Sequence, residues 1–408
     1  MDVCRFCSSP LQHVVTDLGL SPLSNALVNS GDLEREDVYY PLRPYVCENC
    51  WLVQLPQLET AENIFCEYPY FSSYSTSWLK HVAAYAREMI DAMALSSDSL
   101  VVELGSNDGH LLECFQKRDI GVVGVEPAKN VARTAIANGV PTEAVFFGSA
   151  TSRDLRARYG LADLIVGNNV LAHVPDLNDF IAAMCSLLKP NGIITMEFPH
   201  LLRLVERTEF DTIYHEHFCY FSLSVVRRIF QAHNLCIYDV QELTTHGGSL
   251  RIFAKHLKDA PSGSPAVISL EEQEVAAGLE SPNGYVQFDG RVKTVKDDLL
   301  DFLLMASREN RAVAGYGAPA KATTLLNYCG IDRTVLPYTV DRNPHKQGKY
   351  IPGVRIPIEP PETIYERNPD YVLVLPWNLA GEIVEQMDAV RGWGAKFVLP
   401  IPALTIIS

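Results

Sequence analysis

Val101-Val102-Glu103-Leu104-Gly105-Ser106-Asn107-Asp108-Gly109 reads as an apolar strand, an acidic residue near its end, and a glycine-bounded turn that opens a helix. In a doubly wound sheet, ligands sit at the carboxyl ends of the strands, where such a turn falls. Gly105 and Gly109 let the backbone approach a ligand closely. The stretch has no G-x-G-x-x-G, the turn that lays a pyrophosphate on a helix N-terminus. It therefore predicts a bound group without phosphate. A second apolar run ends in Gly124-Val125-Glu126-Pro127. A carboxylate about twenty residues beyond the turn is the usual acceptor of ribose hydroxyls.

Two more segments continue the pattern. Residues 163–176 form a strand and a loop that carries Asn168, Asn169 and His173, and Leu187-Leu188-Lys189-Pro190-Asn191-Gly192 precedes the next strand. In this order the segments resemble class I S-adenosylmethionine-dependent methyltransferases. The resemblance implies a Rossmann-like domain with the methyl donor at Glu103, Gly105, Asn107, Gly109, Glu126 and Asn168. A Rossmann-like domain that binds another nucleotide is the competing reading, because the ligand crevice is shared.

The rest of the chain is organised around that unit. It has 408 residues, 47% hydrophobic and 20% charged, with a formal net charge of -15. The length suits two or three domains and the composition a globular protein. An acidic chain is a poor partner for nucleic acid, which is held by dense Lys and Arg. The N-terminus carries a Cys pair and an Arg with no apolar stretch, so no signal peptide is expected. No apolar run reaches membrane-spanning length, so the expected location is cytoplasmic, away from membranes. Apolar residues recur with helical spacing over 78–93. Apolar runs at 99–104, 121–126, 164–166, 192–197 and 250–255 alternate with helical patterns, which predicts an α/β sheet. A Pro/Ser/Gly-rich stretch at 256–264 reads as a linker. Helical sequence follows at about 270–310, then a second α/β pattern with strands at 311–315, 335–340, 371–375 and 395–399. The expected units are a zinc-binding domain (1–75), a methyltransferase domain (76–256) and a C-terminal Rossmann-like domain (257–408).

Cys4-x-x-Cys7 and Cys47-x-x-Cys50 form two knuckles. In a reducing compartment, paired cysteines point to metal or redox chemistry rather than disulfides. Four thiolates suit tetrahedral zinc, and four protein ligands leave no open position, so the site reads as structural. The alternative is four unrelated buried cysteines. The knuckles lie further apart than in a minimal zinc ribbon, so an excursion must run between them.

Phe210-Asp211-Thr212-Ile213-Tyr214-His215-Glu216-His217-Phe218 is the densest cluster of titratable side chains in the chain. If extended, it puts Tyr214 and Glu216 on one face and His215 and His217 on the other. Carbon methylation beside a ketone needs a base and a donor for the enolate oxygen, tasks that suit His and Tyr. The bland alternative is a polar loop. Tyr68 lies in an aromatic and hydroxyl-rich stretch, Tyr68-Pro69-Tyr70-Phe71-Ser72-Ser73, that reads equally as a buried hinge. His246-Gly247-Gly248-Ser249 reads as a plain turn before a strand. Gly315-Tyr316-Gly317-Ala318-Pro319-Ala320-Lys321 looks like a phosphate-cradling loop with a lysine on the next helix.

Taken whole, the chain resembles the three-domain C-methyltransferases that act on nucleotide-linked 4-keto-6-deoxyhexoses, of which the tetronitrose and mycarose pathway enzymes are familiar examples. The resemblance runs from CRFC through SPLSNAL, YPYFSSYS, NVLAHVPD, FDTIYHEHF, HGGSLR and GYGAPAK to the PWN at Trp377 and Asn378. It implies S-adenosylmethionine as donor, structural zinc, and a keto sugar held between the last two domains. It maps active-site roles onto Tyr68, His173, Tyr214, Glu216 and His217. His217 would remove the C-3 proton, Tyr214 would steady the enolate, and Glu216 would orient the ring or its histidine. Lys321, Trp377 and Asn378 would face the nucleotide side of the substrate, and Tyr316 would also bind it. Two other readings stand beside this one. An O-methyltransferase would need no carbanion, and a non-catalytic zinc-ribbon protein would not need Glu103, Gly105 and Glu126 intact.

Overall fold

The computed structural model describes residues 2–65, 73 and 76–408. Its largest sheet has seven strands: β1 (Leu100–Leu104), β2 (Gly121–Val125), β3 (Thr142–Glu143), β4 (Ala162–Asn168), β5 (Leu188–Pro199), β6 (Leu235–Leu243) and β7 (Ser249–His256). Their order is β6-β7-β5-β4-β1-β2-β3. β7 runs antiparallel to both neighbours and the remaining pairings are parallel. The inner strands are buried on both faces, as parallel strands covered by helices must be; Val101, Val102 and Leu104 are fully buried. The helix Thr76–Met93 lays Val82, Tyr85, Ala86 and Met89 against the same core, the face its periodicity predicts.

The segment expected to be helical over 270–310 is two helices, Pro265–Ala276 and Phe288–Arg308. Gly278 at φ +76° and the short turn Pro282–Tyr285 part them. The first packs Val267 and Leu270 into the core of the central sheet. Its Glu274 accepts from His200 Nε2 and from the backbone N–H of Leu223 and Ser224, at 2.6–2.9 Å. Beyond the second helix lies a six-stranded sheet, with Val313–Tyr316 at its centre between Thr339–Val340 and Tyr371–Val374.

The N-terminal segment does not stand apart. Its sheet joins His13–Val14, Tyr45–Val46 and Val53–Gln54 to Cys219–Tyr220, which follows the histidine-rich loop. The excursion between the knuckles crosses to the C-terminal domain. Val28–Asn29 pairs with Lys349–Tyr350, the Thr323 hydroxyl donates to Ser24 O at 3.0 Å, and Arg355 pairs with Asp37. All three segments therefore meet around the loop that bears His217. Among the described residues no helix is long and apolar enough to cross a membrane.

Candidate active site

The donor turn lies at the carboxyl end of β1. Gly105, Asn107 and Gly109 all take positive φ, +66°, +48° and +86°, so the chain folds back tightly before the helix His110–Gln116. Glu126, at the end of β2, accepts from the backbone N–H of Asn107 at 2.9 Å and of Ala128 at 2.8 Å. It thus ties the two turns together. Glu103 Oε2, Ser106 Oγ and Asp108 Oδ1 are buried with no partner among the described residues. Burial pushes the Glu103 carboxyl well up, with the neighbouring charges of Glu126 and Asp108 adding to it. Burial raises Glu126 too, against the pull of its two N–H donors. Unpaired buried acceptors are costly, and a ligand carrying positive charge and hydroxyl donors would relieve them. S-adenosylmethionine carries a sulfonium, an ammonium and a ribose diol, whereas a diphosphate would be repelled. Asn168 ends β4 and pairs with Glu197 of β5.

The histidine loop is a turn, not the extended segment that alternation would give. The His217 N–H donates to Tyr214 O at 2.9 Å. This reverses the chain and brings Tyr214 and His217 to the same side, with ring centroids 4.1 Å apart. The Tyr214 hydroxyl lies 3.0 Å from His217 Nε2, and His217 Nδ1 lies 2.9 Å from Thr212 O. A carbonyl can only accept, so Nδ1 carries the proton and Nε2 presents a lone pair. His173 is arranged alike, with Nδ1 2.8 Å from Glu216 O. Burial holds His217 well below the ordinary histidine range, and the nearby His173, His246 and Lys321 add to the effect. Burial likewise takes His173 down to about 4.

The Glu216 carboxylate accepts from Asn25 Nδ2 at 2.8 Å. Its side chain therefore links the loop to the N-terminal segment. His215 is buried against the N-terminal segment, with Nε2 on Pro41 O at 3.2 Å. Tyr68 lies outside the described residues.

The C-terminal domain contributes Lys321, Trp377 and Asn378. Lys321 Nζ donates to Asn378 Oδ1 at 2.7 Å and lies 4.3 Å from the Trp377 ring centre. The Trp377 indole N–H donates to Asp211 Oδ2 at 2.7 Å. Burial lowers Lys321 while the Asp211 and Glu209 carboxylates hold its charge. Burial pushes Asp211 up to about 6 and Glu209 to about 8. Lys321 thus lies near the carboxyl groups of Glu209 and Asp211, at the start of the segment that leads to His217. Tyr316 ends the strand Val313–Tyr316. Its ring joins the apolar cluster of Val340, Ile383 and Met387, and its hydroxyl donates to Gln386 at 3.4 Å.

Cys4, Cys7, Cys47 and Cys50 bring their sulfurs within 4.8 Å of one another, with the Cys4–Cys50 and Cys7–Cys47 pairs at 3.5 Å. A tetrahedral ion with Zn–S of about 2.3 Å sets its sulfurs roughly 3.8 Å apart, so four thiolates here fit zinc. Gln54 Nε2 donates to Cys4 Sγ at 3.1 Å.

Comparison with known proteins agrees with this layout. C-methyltransferase NovU of Streptomyces niveus is 35% identical across all 408 residues, which align with 97% of its own length. The chain belongs to the C-methyltransferase family. Residues 4–65 match a putative zinc binding domain, 78–240 a methyltransferase domain, and 244–402 a C-methyltransferase C-terminal domain. Among solved structures, an S-adenosylmethionine-dependent methyltransferase from Clostridium acetobutylicum aligns at 11% identity with a TM-score of 0.35, over 46% of this chain and 92% of its own. Magnesium protoporphyrin IX methyltransferase from Synechocystis aligns at 16% identity with a TM-score of 0.32, over 44% of this chain and 77% of its own.

This C-methyltransferase uses S-adenosylmethionine and carries a zinc-binding domain. Several residues around its histidines have no signature in the sequence. Asn25 is distant along the chain, Glu209 lies just outside the titratable cluster at 210–218, and His246 reads as part of a turn. The Asn169 amide nevertheless lies 2.8 Å from His246 Nε2, at the carboxyl edge of the sheet.

Proposed function

We propose that this enzyme methylates C-3 of a nucleotide-linked 4-keto-6-deoxyhexose through an enolate, with His217 as the base. One observation carries the reading: a buried, neutral His217 whose Nδ1–H is fixed by Thr212 O, so that Nε2 offers its lone pair beside the Tyr214 hydroxyl. A hydrogen beside a ketone is too weakly acidic to leave unaided near neutral pH. A neutral imidazole is the side chain suited to take it.

The C-3–H bond breaks and the proton goes to His217 Nε2. The electron pair moves into the ring, and the charge collects on the C-4 oxygen. The Tyr214 hydroxyl faces His217 Nε2; as that nitrogen takes the proton, the hydroxyl turns to donate to the C-4 oxygen and stabilises the developing charge. The donor supplies an electrophilic methyl that C-3 takes, with loss of the thioether. Glu103, Gly105, Asn107, Gly109, Glu126 and Asn168 hold the donor. Lys321, Trp377 and Asn378 face the nucleotide side of the substrate, with Asp211 accepting from the indole. His173 supports His217, and Glu216 ties the loop to Asn25. Zinc is held by Cys4, Cys7, Cys47 and Cys50 and takes no part in the transfer. Residues 1–75, 76–256 and 257–408 serve as the metal, donor and substrate units.

The test is mass spectrometry of a panel of nucleotide-linked 4-keto sugars incubated with enzyme and isotopically labelled S-adenosylmethionine. Label on ring carbon supports the reading. Label found only on oxygen contradicts it.

A further inference from the structure

Arg5 lies between the two cysteines of the first knuckle, but its side chain points away from the sulfurs. Nη1 donates to Pro175 O at 2.9 Å and Nη2 to Leu55 O at 2.6 Å. The guanidinium carbon lies 5.1 Å from the centre of the Phe218 ring. Pro175 is two residues beyond His173, and Phe218 follows His217 directly. The Arg5 backbone is anchored in turn. Its N–H donates to Gln54 Oε1 at 2.9 Å, and the same amide donates to Cys4 Sγ at 3.1 Å. Gln54 pairs with Cys219 across the shared sheet, and the Leu55 N–H donates to Phe218 O at 3.0 Å. Asn178, on the helix after the His173 loop, reaches back to the carbonyls of Arg5 and Phe6 at 3.3 and 3.0 Å.

One rigid, planar fork thus holds both histidine-bearing segments against the knuckle. Lysine, with a single ammonium on a flexible stem, cannot reproduce two divergent bonds and a ring contact. We propose that Arg5 is a positioning residue for the His173–His217 pair, so that the metal-binding domain sets the geometry of the base. This rests on the reading of His217 as that base.

The experiment uses the full chain with Arg5→Lys and Arg5→Gln, each checked for zinc content and for S-adenosylmethionine affinity by calorimetry. The readout is solvent deuterium exchange at C-3 of a 4-keto sugar nucleotide with S-adenosylhomocysteine bound, followed against pH. Zinc content and donor affinity should stay at the parent level. Exchange should fall roughly ten- to a hundredfold, the scale of a small misplacement of a reacting group. The acidic limb should move up toward the ordinary histidine value, because looser packing admits water to His217 and His173. The other groups facing His217 (Tyr214, His246, Lys321 and Tyr220) are unchanged. Asn178→Ala, remote from the sulfurs, should shift both readouts the same way by less, and serves where an Arg5 variant loses zinc. Zinc-loaded Arg5 variants that exchange at the parent rate with an unmoved limb overturn the proposal. So does an inert Asn178→Ala where only that variant keeps its zinc. If His217→Asn itself still exchanges, the assignment of the base has failed instead, and the proposal falls with it.

Discussion

His173 and His217 meet edge to face, with ring centroids 4.8 Å apart, and each donates its Nδ1–H to a backbone carbonyl of the same short loop. Both rings are therefore fixed in one tautomer, with the proton on Nδ1 and the lone pair on Nε2, and in His217 that lone pair faces the Tyr214 hydroxyl. At this distance in a buried site they cannot both carry charge cheaply. The arrangement is that of one base with a neutral neighbour.

That pairing sets the pH dependence. His217 must be neutral to act, and its pKa is depressed by burial first and by His173 next. A depressed pKa keeps the base neutral further into acid. Turnover should hold as pH falls through the ordinary histidine value of 6.5 and be lost only below it. A kcat/KM profile measures this limb in the free enzyme; a limb at or above the ordinary value would contradict the depressed base.

Zinc should be present at one ion per chain. Cys47→Ser should release it and remove much of the roughly 10 kcal/mol that structural zinc lends to folding. Because Cys219–Tyr220 belongs to the same sheet as Val53–Gln54, the loss should also disorder the His217 loop. Elemental analysis and thermal unfolding measure both effects, and metal-free protein that melts as the parent does would refute the site.

Much of this is legible in the sequence. The strand–turn reading of 101–109, the two Cys knuckles and the helix over 78–93 rest on local rules of periodicity and ligand spacing, and each has its counterpart in the fold. Other features are hidden for identifiable reasons. β6 escapes an alternation test because its register shifts between Ile237 and Asp239, so the buried face changes parity midway. The loop at 214–217 escapes because a turn bond, His217 N to Tyr214 O, overrides alternation. Asn25 on Glu216 and Trp377 on Asp211 join residues 191 and 166 positions apart, and no local pattern encodes such partners.

Glu126→Ala should weaken S-adenosylmethionine binding by about 1–3 kcal/mol, the usual cost of leaving polar groups unpaired. Part of that loss should come from the turn itself, since Glu126 also holds the Asn107 N–H. Glu126→Gln keeps one acceptor oxygen and should lose less. Calorimetry reads both, and parent-level affinity in Glu126→Ala would remove Glu126 from the donor site.

Trp377→Phe should raise the KM for the sugar nucleotide and leave donor affinity unchanged. It removes the indole N–H that the buried Asp211 carboxyl accepts, at a cost of about 1–3 kcal/mol in stability. Asp211→Asn tests the same contact from the other side. A Trp377→Phe enzyme with parent KM would place the substrate elsewhere.

The central claim is that His217 takes the C-3 proton, and it is tested most directly by solvent deuterium exchange at C-3 without methyl transfer, with S-adenosylhomocysteine in the donor site. The parent enzyme should exchange that hydrogen. His217→Asn should lose about a hundred- to ten-thousandfold of the rate, the range of general-base catalysis, while binding donor normally. If His217→Asn exchanges at the parent rate and His173→Asn does not, the base is His173 and not His217.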